Sequence, residues 1–380
     1  MSDIVLVPYN ESMRLGQGFN SFLQVPCILD AVEISETPRA SGRPADPKGV
    51  SQSVSYSSRF VDKISDVVRN LNISPAASVK SGTIELSGNS SGVDEAKFSA
   101  SDINAVVSVK VINESTTTTK DANRQPDPKV KTAGQSFFSV YGDCYISGFL
   151  SGGEFHGIVS IKVLDVRRKA EVESKLKGKF NAPSGKGFTL SENLGSSGLD
   201  ATLRETETTI TVNWTGGGEI KPDGQEWTLD TLMKAAASFP NRVAACPQRT
   251  WAILTKYTKN RSFLEWEVDS ASQIPNFSLA RAPAEELLDS YMAYKSSLTR
   301  LNDIMANPGA YKLSPFRDPI SIDVESLVQQ RKFVRSIMKE IVAIVDLLND
   351  EPSKIPQERI DKVPSSEIWA TRLPILKQDA

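Results

Sequence analysis

The sequence predicts an α+β protein, and three observations carry that reading. Apolar residues alternate at period two in separated stretches: Ala105, Val107, Val109 and Val111 against Ser108 and Lys110; Val159, Ile161 and Val163 against Ser160 and Lys162; Ile210, Val212 and Trp214 against Thr209, Thr211 and Asn213. Such alternation buries one face of a strand and leaves the other for polar contacts. Beyond Pro283 the period becomes helical, with Leu287, Tyr291, Leu298, Leu301 and Met305 in one stripe and Leu327, Val334, Met338, Ile341, Val345 and Leu348 in a second. Between the strands lie long polar segments rich in Ser, Gly and charge, which read as variable connections.

Taken in order, residues 1–50 are turn-rich, with Gly16-Gln17-Gly18 and a loop from Pro38 to Pro47, and form an N-terminal segment of the core. A helix is predicted over 57–71, because Phe60, Ile64, Val68 and Leu71 fall at helical spacing behind capping-type serines. A strand starts at Ile103, and Thr116 to Pro128 is loop. Phe155 to Val163 is a strand, as is the stretch through Ile210 and Trp214, which ends in Gly216-Gly217-Gly218. The stretch from Thr228 to Ser238 reads as helix, and Arg249 to Tyr257 as a core strand. The main domain is placed at 51–275, a helical hairpin or small helical region at 283–350, and a proline-containing tail at 351–380.

Composition excludes several function classes. Lys+Arg 44 against Asp+Glu 46 gives a net charge of −2, without the basic footprint that wholesale nucleic-acid binding needs. His156 is the lone histidine, and Cys27, Cys144 and Cys246 are widely spaced. No metal site or disulfide framework follows, and the cysteines read as buried reduced thiols. There is no Gly-Lys-Ser/Thr phosphate loop, no nucleophile elbow and no paired carboxylates, so neither an enzyme nor a cofactor is expected. Gly185-Lys186-Gly187 is a turn. The N-terminus lacks a basic n-region and no run approaches the ~20 apolar residues of a spanning helix. The expectation is a protein made soluble, cytoplasmic or released without a secretory signal.

One string stands apart. Tyr141-Gly142-Asp143-Cys144-Tyr145 is followed, after six residues, by Gly152-Gly153. This resembles the signature of the membrane attack complex/perforin family, aromatic-Gly-Thr/Ser-His-aromatic, six residues, Gly-Gly. Asp143 replaces Thr/Ser and Cys144 replaces His. Leu15-Gly16-Gln17-Gly18-Phe19-Asn20 and the stretch from Phe98 to Asn113 resemble fungal members. The resemblance covers roughly residues 15–270. It implies a bent, twisted antiparallel four-stranded central sheet with two flanking helical clusters, here followed by a helical C-terminal region. It further implies a soluble protomer that binds membrane lipid, assembles as a homo-oligomer (with a second membrane-binding protein as a further candidate partner) and inserts β-hairpins from about 76–102 and 164–203. Gly152, Gly153 and, as a hinge, Gly216, Gly217 and Gly218 would let the sheet open. Tyr141 and Tyr145 would pack the bend, and Cys144 leaves open any hydrogen-bond role of the family's histidine.

A segment that inserts must serve two patterns: a helical face in water and period-two amphipathicity in lipid. From Leu164 the even positions include Val166, Ala170, Val172, Leu176 and Phe180, broken by Arg168, while Asp165, Lys169, Glu171, Glu173 and Lys175 are among the odd ones. Val172, Leu176 and Phe180 also make a helical i, i+4, i+8 stripe. A tip at 181–187 leads to a return limb with Phe188, Leu190, Leu194, Leu199 and Leu203. The first segment is weaker: Ile84 and Leu86, then Ala96 and Phe98, alternate with polar residues. The same patterns also suit ordinary amphipathic surface helices. Two function classes therefore stay open, a pore-forming protein and a non-lytic perforin-like binding protein, with an unrelated α+β scaffold a remote third.

Overall fold

The computed structural model describes residues 5–33, 51–84, 93–113, 136–180, 206–222, 224–267 and 274–377, without the side chains of residues 166 and 177–180. Its centre is one strand, β6 (Cys144–Val163), long enough to pair with two sets of neighbours in succession. The earlier strands are β1 (Val5–Pro8), β2 (Gly18–Asn20), β3 (Val25–Pro26), β4 (Gln52–Phe60) and β5 (Ile103–Asn113); β7 (Thr206–Thr215) and β8 (Gln248–Lys256) follow. Over 152–163, β6 lies antiparallel between β5 and β7, and β4 pairs along the far side of β5. Over 144–152 it lies between β8 and β2, with β1 beyond β8 and β3 beyond β2. The sheet is thus an eight-stranded antiparallel one whose upper part, β4-β5-β6-β7, is the four-stranded unit that the resemblance implied. The turn-rich N-terminal segment supplies strands β1, β2 and β3 to the lower part.

The β6–β8 register slips between Ile146 and Gly148 and again between Leu150 and Ser151, just before the glycine pair where β6 changes partners. Bulges of this kind bend a strand and increase its twist. Gly152 and Gly153 are required there by space. A Cβ on Gly152 would overlap the Val111 carbonyl, and one on Gly153 would overlap Val243 and stand 3.0 Å from the Phe239 ring.

The two faces of the upper sheet have different covers. Val107, Val109, Val111, Phe155, Val159 and Ile161 pack against helix α6 (Leu229–Ala245), chiefly through Leu232, Ala236, Phe239 and Val243. Thr228 caps that helix with a reciprocal Thr228–Thr231 box. On the opposite face, Val106 and Ile158 join a core built from α1 (Ile64–Asn70), α2 (Pro75–Ser81) and α3 (Glu95–Ala100). Two further helices, α4 (Phe137–Tyr141) and α5 (Lys169–Phe180), stand before and after β6. A short α7 (Arg261–Glu267) follows β8.

The helical stripes beyond Pro283 are α8 (Arg281–Ala306) and α9 (Val324–Asp350), an antiparallel pair on the same core as α1–α3. Short helices α10 (Gln357–Ile360) and α11 (Ser366–Thr371) lead to β10 (Ile375–Leu376), which pairs with β9 (Tyr311–Lys312) between the long helices. Trp369 and Leu373 are buried, so 351–377 is docked on the helices rather than trailing as a tail.

The helix expected over 57–71 is corrected. Residues up to Phe60 are strand β4, paired with β5 from Gln52↔Asn113 to Phe60↔Ala105, and helix begins only at Ile64. Val54, Tyr56 and Phe60 pack on the α6 side, whereas Ile64, Val67 and Val68 enter the opposite core. Ladder pairing overrode a helical spacing that happened to run across the strand end.

Candidate functional site: the signature, the bend and the two flanking segments

The signature begins at the foot of β6. Tyr141 stacks on Phe137 at 4.6 Å, and Tyr145 lies 5.4 Å from Tyr257, itself fully buried against Phe263. Tyr257 Oη donates to the Tyr141 carbonyl at 3.1 Å. Both tyrosines therefore pack an aromatic base below the bend, not the bend itself. Gly142 has φ +78, and a Cβ there would overlap the Phe19 carbonyl of β2. Only glycine suits that left-handed, crowded position.

The two departures from the family pattern both bind the N-terminal strands. The Asp143 carboxylate accepts from the Ser21 backbone N–H at 2.7 Å and from Ser21 Oγ at 2.6 Å. Burial raises its pKa above the ordinary value, and the two Ser21 hydrogen bonds pull the other way. The Cys144 thiol donates to the Phe19 carbonyl at 3.3 Å. Burial first, then the Asp143 charge, pushes this thiol well above its usual range, so it stays protonated. Cys144 thus supplies a donor where the family has histidine. Cys27, half-buried nearby, is pushed up to about 11 by burial and then by Asp143. All three cysteines are free; Cys246 is exposed rather than buried.

At the upper end of the signature, Gly152 and Gly153 meet the second glycine group. Gly216, Gly217 and Gly218 are all left-handed, with φ of +76, +76 and +62. The Gly217 N–H donates to the Cys246 carbonyl at 2.7 Å, which ties the end of β7 to the end of α6. The structure brings Gly216 against Gly152 and Gly153 although 62 residues lie between Gly153 and Gly216 in the chain.

The residues read as membrane-inserting fall on opposite faces of the sheet. Val172 and Leu176 of α5 are buried in the α6-side core, whereas Ala170 is exposed. Phe180 ends α5 and its side chain is not described; Phe188, Leu190, Leu194, Leu199, Leu203 and Leu86 lie outside the described residues. Ile84 and Phe98 are buried in the opposite core, with α8 and α9. Sequence reasoning read too little into the face that carries Val106 and Ile158. Asn104, Ser108, Glu154, His156, Ser160 and Asn213 on that face are all buried. His156 Nε2 lies 3.2 Å from Glu154 Oε1, so the lone histidine is a buried, partnered strand residue. A period-two pattern reports which face is apolar, and says nothing of whether the polar face is covered.

No helix among the described residues is long and apolar enough to cross a membrane. No family model and no curated protein matches the sequence. Among solved structures, the chain is similar to stonustoxin at 9% identity and a TM-score of 0.48, over 97% of this chain and 47% of that one. A non-hemolytic pneumolysin from Streptococcus pneumoniae aligns at 12% identity and a TM-score of 0.38, over 68% of this chain and 60% of that one. Astrotactin-2, a perforin-like vertebrate membrane protein, aligns at 13% identity and a TM-score of 0.26, over 73% and 44%. The chain spans about half the length of the stonustoxin chain it matches. The signature at the foot of β6, the sheet that changes partners at its glycines and the helical segments on its two faces give this chain a perforin-like fold.

Proposed function

We propose that the protein is a pore-forming protomer that binds a membrane, oligomerises and releases two segments as β-hairpins. One observation carries the reading. Each segment sits between two strands paired antiparallel in one ladder, and each carries helices where it is described. The ladder β4–β5 ends at Phe60↔Ala105, and β6–β7 ends at Val163↔Thr206. Straightening 61–102 and 164–205 would simply continue these ladders beyond the sheet. The two segments are equal in length, which suits hairpins that must span the same bilayer. The first thus starts at residue 61, earlier than the 76 expected from sequence.

A hairpin limb of about 20 residues at ~3.3 Å per residue is longer than the 9–11 residues a tilted spanning strand needs. Only a closed barrel satisfies every backbone group in lipid, so a single protomer cannot insert alone. Among the described residues β4 and β7 are the outermost strands of the upper sheet, and neighbouring protomers would join there. Val172, Leu176, Ile84 and Phe98 would exchange buried protein positions for the lipid face. In this reading Gly152, Gly153 and Gly216–Gly218 are where the sheet opens, 51–275 is the pore-forming unit and 283–350 an accessory helical unit.

The second reading, a non-lytic binding protein with the same fold, draws on how firmly α1–α3 are packed against α8 and α9. Purified protein incubated with mixed-lipid liposomes separates the two. Dye release together with detergent-resistant oligomers supports the pore. A protein that stays monomeric and releases nothing across varied lipids supports the alternative.

A further inference from the structure

The helical pair α8–α9 does not have a core of its own. Its buried Leu287, Leu288, Met292, Ile341 and Val345 share one apolar cluster with Val67, Val68, Val79, Ile84 and Phe98 of segment 61–102. Polar bonds fasten the same surface. The Asp289 carboxylate takes the Ser65 backbone N–H at 2.9 Å and Ser65 Oγ at 2.8 Å, at the first turn of α1. Arg69 pairs with Glu285 at 2.5 Å, Lys80 with Asp346 at 2.6 Å, and Lys295 with Glu95 at 3.1 Å. Lys295 Nζ also donates to the Gly82 carbonyl, which ends α2. Every described helix of the first segment, α1 through α3, is therefore held by the C-terminal pair. The described part of the second segment is held otherwise: α5 buries Val172 and Leu176 on the other face of the sheet, and Lys169 reaches Asp102 at 3.7 Å.

We propose that α8–α9 is a built-in clamp on segment 61–102, so that this segment leaves the sheet only after the helical pair has separated from it. The proposal rests on the reading of 61–102 as a deployable segment. Strand β5 links the two events, because it follows the first segment and pairs with β6, which precedes the second. Release of the first segment exposes apolar residues on both sides of the contact, and water opposes that step. Contact with lipid or with another protomer offers those residues a new cover, which makes assembly the event that opens the clamp. The described part of the second segment, 164–180, meets no such barrier from α8–α9, and this segment would move first.

Two measurements test this, and the first needs no membrane. In the triple variant Arg69→Ala/Lys80→Ala/Lys295→Ala, amide exchange in α1–α3 should quicken about tenfold, while α5 stays within about twofold of wild type. Equal acceleration of α5, or none in α1–α3, overturns the clamp. The second measurement joins Ser65→Cys to Asp289→Cys in a Cys246→Ser background. With vesicles of phosphatidylcholine, phosphatidylserine and sterol, the oxidised form should release no dye and the reduced form should release it. Equal release by both forms overturns the clamp. If no form releases dye, wild type included, the pore reading fails and the exchange comparison alone decides for or against the clamp.

Discussion

A Cβ placed on Gly216 would stand 2.5 Å from the carbonyl oxygen of Gly152, so the end of β7 and the bend of β6 touch backbone to backbone. Gly216 is also left-handed at φ +76. Gly216→Ala therefore meets two penalties, a strained backbone and a steric overlap that only movement of β6 relieves. We expect a loss of about 2 kcal/mol or more, read from the urea midpoint at unchanged m-value. Gly224, at φ +77 with open space around it, is the control. Gly224→Ala should lose only the backbone part, about 1 kcal/mol. Equal losses at the two positions would remove the case for a tight glycine contact at the bend.

Asp143 stands where the signature it resembles has a hydroxyl residue, and it has a partner in Ser21. Asp143→Ala leaves the half-buried Ser21 N–H and hydroxyl without their acceptor, at a cost of about 1–3 kcal/mol. Asp143→Asn keeps one acceptor oxygen and removes a charge that burial disfavours, so it should lose less than half as much. Thermal or urea unfolding of the two variants checks the order. Should Asn prove worse than Ala, the carboxylate is needed as a charge and not as an acceptor.

Much of this architecture was legible in the chain. Strand β5 and the upper half of β6 were visible because both alternate over most of their length, with Val107, Val109, Phe155 and Val159 on one face. The lower half of β6 was not, because Gly148, Ser151, Gly152 and Gly153 interrupt the alternation through the bulges. Those interruptions are the bend, so the glycine pair that carries the resemblance also hid the strand. Helices α8 and α9 were plain from their stripes, but a stripe does not say what it packs on. Nothing in the stripe singles out Asp289, Glu285 or Lys295, and the fold is what reveals Ser65, Arg69 and Glu95 opposite them. Long-range partners of polar residues leave no local signal.

Asp289 gives the clamp a pH dependence of known sign. Burial raises its pKa above 3.8, the Ser65 hydrogen bonds and Lys63 oppose that rise, and Asp66 adds to it. A carboxyl raised in the folded state binds more protons folded than unfolded between those two values. Its contribution to stability is thus greatest below the unfolded value and falls as pH rises through the folded one. Difference measurements against Asp289→Asn isolate this from other acids. Protection of α1–α3 in wild type, relative to the variant, should increase as pH drops towards 4. A relative decrease over that range would reverse the sign and with it the role of burial.

Helix α5 offers the sharpest separation of inserted strand from surface helix. In water Val172 and Leu176 are buried while Ala170 and Ser174 are exposed, as a helix of period 3.6 requires. In a spanning strand all four share the lipid face, with Glu171, Glu173 and Lys175 towards the lumen. A helix merely lying on the membrane would keep 170 and 174 in the aqueous half. An environment-sensitive dye placed singly through Ala170→Cys, Glu171→Cys, Glu173→Cys and Ser174→Cys, in a Cys246→Ser background, reads the difference directly. Insertion predicts emission shifts to the blue at 170 and 174 on liposomes, and little change at 171 and 173. Positions 170 and 174 decide, because they are the ones at which the helical and extended patterns disagree. Emission at both that stays aqueous while vesicles leak would mean that this segment opens the bilayer without spanning it as a strand.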